Sequence, residues 1–426
     1  MENKNILISN GIILHMMKTD RFKTNYMVFT FKEKLSRENV TKNALLPLVL
    51  RRGCQKYPTM QDIAIKLEEM YGASFDANTD KVGDYSVIQF MMDTISDEYT
   101  LDKSSVMSDA IELFNDILFN PIVENDAFKE EYVEQEKETL KEIINSRIND
   151  KASYAFSRAV EEMYKNEPYG LYKYGYVEDL EKISAKDLYN HYLELLNTAE
   201  VDIYFSGNLN EEMIVNKYNE LFEKIKRNYT DNRDEKVLST NDRFSFASNE
   251  IVESQNVTQG KLVLGYNFRS QNLKDDFYKM TVYSAILGGT ASSKLFNNVR
   301  EKKSLAYTIS SQYIKHKGAL FVSAGIELSN FSIAKESILK EIDDMKNGVI
   351  SDEELDSAKA NLITRFKSFN DSQVVLIGWA IGQEVLDGDM DLELVINNIE
   401  AVTKEDVIEV ASKLDLQISY FLTNKA

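Results

Sequence analysis

Three histidines, His15, His191 and His316, and one cysteine, Cys54, are the side chains of this sequence best suited to metal, acid–base or nucleophilic chemistry. Their spacing argues against all of these. A catalytic zinc takes three protein ligands and keeps one position open for water, yet no two histidines stand three or four residues apart, and no Cys-x-x-Cys pair replaces them. His15 falls in a strand pattern and His191 in the helical stretch 187–196, where structural roles are expected. Cys54 has no histidine near it in sequence, and no Gly-x-Ser-x-Gly elbow occurs, so a zinc-free nucleophilic mechanism has no support. Glu130, Glu131, Glu134, Glu136, Glu138 and Glu142 crowd one stretch, as on the solvated face of a helix. Leu287-Gly288-Gly289-Thr290 fits neither glycine-rich phosphate-binding pattern and reads as a helix C-cap and turn.

The elements that would position these residues follow from periodicity. Residues 6–16 and 26–32 alternate apolar and polar side chains around the Asn10-Gly11 turn, which predicts strands with one buried face. Helices are expected over 43–52 and 60–70, strands over 74–78 and 85–93, and helices over 103–119 and 124–147. The order then runs again, with a strand at 260–268, helices at 276–287 and 292–300, strands at 306–314 and 319–327, and helices afterwards.

The repeat is clearest where each half ends. Ser184-Ala-Lys-Asp187 and Thr403-Lys-Glu-Asp406 both pair an N-cap hydroxyl with an acid three residues on, both follow an apolar residue, and both lead through a helix to a short strand. A period of roughly 216 residues is duplication of a whole domain rather than a solenoid. The polar stretch 226–249 reads as a linker, which gives an N-terminal domain over 1–225 and a C-terminal domain over 250–426.

Bulk composition narrows the function classes. With 43% hydrophobic and 28% charged residues and four prolines, the 426-residue chain is a folded protein of more than one domain. A formal charge of −19 repels phosphate backbones and anionic lipid, so neither nucleic acid nor a membrane is an expected partner. No apolar run approaches the roughly 20 residues of a spanning helix. Residues 1–10 lack the pattern of a signal peptide, and a lone cysteine cannot close an intramolecular disulfide, so a cytoplasmic location is expected.

One composite string is more specific. Leu287-Gly-Gly-Thr-Ala-Ser-Ser-Lys-Leu295, followed by Val299-Arg300-Glu301-Lys302 and Ser304-Leu305-Ala306-Tyr307, resembles the C-terminal half of the M16 family of insulinases, pitrilysins and processing peptidases. The resemblance implies an α+β fold of two homologous domains, each a mixed or antiparallel sheet with helices, joined by the linker into a clamshell. It also implies that Arg300 and Tyr307 are substrate-binding residues, near a zinc held by the opposite half. The family's zinc motif is His-x-x-Glu-His on a helix. Here the matching positions, counted back from Gly53, are Ala44, Pro47 and Leu48, and the family's third ligand corresponds to Glu136. Ala, Pro and Leu can neither ligate zinc nor take a proton from its water.

No catalytic residue, metal ligand or cofactor is therefore expected. The resemblance then implies a non-catalytic subunit that pairs with an M16 peptidase bearing an intact His-x-x-Glu-His motif and helps position unfolded peptide. The alternative is a stand-alone peptide-binding scaffold. A purely structural reading has Arg300 paired with a nearby acid and Tyr307 packed in its strand.

Overall fold

Alternation along the first residues produces a hairpin, β1 (Glu2–Ser9) and β2 (Ile12–Lys18), turning at Asn10-Gly11. The computed structural model describes residues 2–101, 105–230, 249–386, 388 and 390–425. Its chain divides into two compact units, Met1–Ser146 with Leu171–Asn232, and Arg147–Gly170 with Arg233–Ala426. The expected linker thus lies mostly outside the described residues, as do residues 103 and 104 of the expected helix 103–119.

The first unit continues through β3 (Thr24–Lys34), α1 (Val40–Leu50), α2 (Met60–Glu69), β4 (Ser74–Val82), β5 (Tyr85–Ile95) and α3 (Val106–Phe119). Where a helix was expected from residue 124, the chain first makes a small hairpin of β6 (Val123–Glu124) and β7 (Ala127–Phe128). Asn125 and Asp126 both adopt positive φ there, a left-handed pair that short polar side chains tolerate and a helix does not. The helix proper is α4 (Glu130–Ser146). After α5 (Lys151–Met163), which belongs to the other unit, the first unit resumes with α6 (Val177–Leu180), α7 (Ala185–Thr198), β8 (Glu200–Gly207) and α8 (Glu211–Glu223).

The strands form one sheet in the order β1-β2-β8-β3-β5-β4, with β2 and β8 parallel and the other neighbours antiparallel. Leu14, Phe29, Ile203 and Phe90 alternate onto one face and join the helices in a core with Leu45, Phe114 and Leu188. Burying each such side chain stabilises by roughly 1.5–3 kcal/mol. The opposite face of the same strands carries a buried polar cluster. His15 Nε2 lies 2.8 Å from Asp202 Oδ1, and Lys32 Nζ bridges Asp202 and Glu200 at 2.8 and 2.7 Å. Burial alone would raise the Asp202 carboxyl, but Lys32 and His15 outweigh it and bring it down to about 2. His15 thus serves the sheet, as its strand pattern suggested.

The second unit runs β9 (Asn249–Gln255), β10 (Gly260–Phe268), α9 (Leu273–Ser284), β11 (Ala306–Ile314), β12 (Ala319–Ile326), α10 (Phe331–Lys346), α11 (Asp352–Ser368), α12 (Gln373–Glu384), α13 (Leu392–Ala401), α14 (Lys404–Ser412) and β13 (Leu414–Asn424). Its sheet order is β9-β13-β10-β12-β11, with β9 and β13 parallel and the remaining pairs antiparallel. Strand for strand this repeats β2-β8-β3-β5-β4 of the first sheet, in chain order and in direction. The duplication read from the two capping boxes is therefore a duplication of topology.

Residues 147–170 lie within the first domain in sequence, yet they cluster with the second unit. The reason is the small apolar face of α5. Ala155, Ala159 and Val160 bury themselves against Val263, Phe321, Ile418 and Tyr420. A Cβ on Gly265 of β10 would come within 2.9 Å of Met163 Sδ, so glycine admits the helix. Past α5, the fully buried Lys317 ammonium meets Glu167 at 2.8 Å between the rings of Tyr164 and Tyr169, at 5.2 and 5.3 Å.

Both capping boxes form: Ser184 and Thr403 accept from the backbone N–H of Asp187 and Asp406, whose carboxylates accept in return. Replacing either hydroxyl residue by alanine should cost about 1 kcal/mol, read as a lower urea midpoint for unfolding, with no change in the circular dichroism of the folded protein.

Candidate functional site

The segment that carries Arg300 and Tyr307 is built from wide helical turns. α9 passes directly into a π-helical turn, Ala285–Gly289, and after a short bend a second, Leu295–Lys302, carries Arg300. The expected C-cap at Leu287-Gly288-Gly289 is thus a widened turn. Its glycine has a steric reason, because a Cβ on Gly288 would lie 2.6 Å from the Ser311 backbone nitrogen of β11. Leu295 and Val299 are fully buried and anchor the second turn. Ser304 then adopts φ 51° and closes it, with Ser304 N–H donating to Arg300 O and Leu305 N–H to Val299 O, both at 3.0 Å.

Tyr307 follows at the start of β11, an edge strand of the second sheet. Ala306 pairs with Ile326 and Thr308 with Gly325, so Tyr307 is the extra residue of a β-bulge. The bulge breaks alternation and turns its side chain outward, leaving Tyr307 54% exposed. Its hydroxyl donates to Glu327, which follows β12. That hydrogen bond and the carboxylate charge raise the phenol, so it stays protonated at neutral pH. Arg300 is half-exposed, lies over the Phe296 ring at 4.6 Å, and has Nε 3.5 Å from Glu301. Arg300 therefore does have an acid beside it, whereas Tyr307 is not packed into its strand. Glu327 was not singled out from sequence, because strand register alone makes it the neighbour of Tyr307.

The zinc-motif positions are equally well defined. Ala44, Pro47 and Leu48 lie on α1 and are buried, Ala44 and Leu48 among the apolar core of the first unit. On α4, the acidic stretch is solvated except at one position. Val133, Glu136, Leu140 and Ile144 form the buried stripe, and the Glu136 side chain is only 4% exposed. Its Oε1 meets Arg52 Nη1 at 3.3 Å, and its Oε2 is buried with no hydrogen-bond partner among the described residues. Arg52 is also held by the Gln135 amide oxygen and lies 4.8 Å from the Tyr132 ring centre. The residues do not fit a zinc ion: three positions have no donor atom, and the remaining carboxylate faces a guanidinium. Among the described residues, no group of three or more His, Cys, Asp or Glu side chains is arranged to hold a metal.

The other histidines are tied to structure. His191 Nε2 lies 2.6 Å from Asn43 Oδ1, and Asn43 Nδ2 donates to Glu33 at 2.9 Å. His316 Nε2 donates to Gly382 O at 2.8 Å. Cys54 is buried and free, and burial pushes its thiol up. No helix among the described residues is long and apolar enough to cross a membrane.

A duplicated α+β protein whose would-be metal helix carries no donor defines a metallopeptidase-like chain without its metal centre. The model of the peptidase M16 inactive domain matches residues 182–362. Over 416 residues the chain is 33% identical to the probable inactive metalloprotease YmfF of Bacillus subtilis, covering 97% of this chain and 96% of that protein. The crystal structure of a conserved protein from Enterococcus faecalis matches with a TM-score of 0.90 at 28% identity, over 99% of both chains. An M16 inactive domain from Pseudomonas fluorescens matches with a TM-score of 0.80 at 15% identity, over 100% of this chain and 99% of that one, a likeness of fold. The chain belongs to the peptidase M16 family, as a homologue of the inactive kind.

Burial, helped by Lys42, lowers the His191 imidazole to about 4. From about pH 6.5 down to 4 the unfolded chain takes up a proton that the folded chain refuses, so this histidine makes stability fall as pH falls. His191→Gln should therefore flatten the loss of stability between pH 6.5 and 4.5 relative to wild type, in urea unfolding at several pH values, while leaving the slope above pH 7 unchanged.

Proposed function

We propose that this chain is a non-catalytic M16 subunit that holds an extended, unfolded peptide for a zinc-bearing M16 peptidase. The observation that carries the reading is the β-bulge that turns Tyr307 outward, seven residues after the half-exposed Arg300, in a chain whose metal-motif positions hold no ligand. β11 and β4 are sheet edges, and such edges can add a peptide strand through main-chain hydrogen bonds. On the turn before β11, Arg300 offers a planar fork to a peptide carbonyl or carboxylate, and at the start of β11 the protonated Tyr307 offers a donor for developing negative charge. A cytoplasmic setting agrees with the single buried, unpaired cysteine.

The test is to mix the protein with an M16 peptidase that has an intact His-x-x-Glu-His motif and to follow cleavage of an unfolded peptide. Cleavage by the mixture should exceed that of the peptidase alone, and Arg300→Ala or Tyr307→Phe should reduce the gain about tenfold or more, with folding unchanged. Peptide binding by this chain with no gain on mixing would instead establish a stand-alone peptide-binding scaffold.

A further inference from the structure

The absence of zinc donors on α1 leaves one question of charge. A carboxylate as deeply buried as Glu136 is strongly disfavoured unless something neutralises it, and in a metal site that partner would be the ion. We infer that Arg52 is the resident cation of this centre: it neutralises Glu136, ties α1 to α4, and keeps a divalent ion out.

Three observations converge on Arg52. It stands two residues past the end of α1, the helix that carries the motif positions. Its backbone is fixed to the helix end, with Arg52 N–H donating to Val49 O at 3.1 Å, where a positive charge is favoured by the helix dipole. Its guanidinium is held on α4 by Glu136, by the Gln135 amide oxygen and by the Tyr132 ring, whose hydroxyl in turn donates to Pro58 O at 3.0 Å. A divalent ion on Glu136 would meet this fixed positive charge at a few ångströms, with the one Glu136 carboxylate shared between them. Loss of the donors and presence of Arg52 are therefore two separate barriers to metal, and restoring the donors removes only the first.

The experiment compares the full-length wild type, Arg52→Gln, the triple variant Ala44→His/Pro47→Glu/Leu48→His, and that triple variant with Arg52→Gln. Zinc affinity is measured by chelator competition, and ligand geometry by the absorption of bound cobalt(II), on protein shown to be folded by circular dichroism. The quadruple variant should bind zinc at least tenfold more tightly than the triple variant. Equal affinities in the two folded proteins, including no binding by either, would overturn the inference.

Histidines in a packed core can prevent folding, so a second cycle leaves α1 untouched. Arg52→Gln alone should lower the melting temperature by about 5 °C or more. Adding Glu136→Gln should restore at least half of that loss, because no orphan charge then remains. Glu136→Gln alone completes the cycle: a double variant that loses the sum of the Arg52→Gln and Glu136→Gln losses would show that Arg52 does not neutralise Glu136, and would overturn the inference whatever the zinc measurements give.

Discussion

A charge moved out of water must be met by an opposite charge, and in the first unit that requirement is met both on the sheet, at Asp202 and Lys32, and where α1 meets α4. Glu136 lies on the apolar stripe of α4 and can be tolerated there because Arg52, at the end of α1, reaches it. The rest of α1 is then free to be an ordinary core helix, with Ala44, Leu45 and Leu48 buried among aliphatic and aromatic neighbours. Pro47 withdraws a backbone N–H from the helix and supplies no side-chain base. The helix that carries Ala44, Pro47 and Leu48 is thus an apolar core helix followed by one ion pair.

Each unit solves the same architectural problem, a mixed sheet that must cover its faces. In the first, one face takes the helical core and the other carries the buried His15, Asp202, Lys32 and Glu200 cluster. In the second, the face opposite the main helices is covered by α5, a segment that interrupts the sequence of the first unit. Its alanines and Gly265 let helix and sheet approach closely, and the Lys317–Glu167 pair between two tyrosines fixes the end of the segment. The shared strand order shows that the duplicated halves kept their topology while their polar interiors diverged.

The two halves also diverged in exposure of chemically capable groups. In the first, every motif position is buried. In the second, a π-helical turn and a β-bulge hold Arg300 and Tyr307 at the surface, each beside an acid, Glu301 and Glu327. Widened turns and bulges interrupt regular hydrogen bonding, and both recur where a side chain must be aimed rather than packed. The exposed pair therefore lies on the second half, while the motif positions of the first are buried.

Sequence by itself determined the alternation of strands and helices, the capping boxes at Ser184 and Thr403, the duplication, and the lack of donors at Ala44, Pro47 and Leu48, because each depends on local spacing or on the chemistry of one side chain. Glu136 was legible as an acid on a helix and, from its place between Val133 and Leu140, could have been read as a buried one. Its partner could not: Arg52 is 84 residues away along the chain, and only the packing of α1 on α4 makes them neighbours. The same holds for Tyr307 with Glu327, set by a one-residue shift in strand register, and for α5, whose apolar face is visible in sequence but whose sheet is not. Periodicity says that a face must be covered; tertiary structure alone decides what covers it, because burial and pairing are settled between segments distant in sequence.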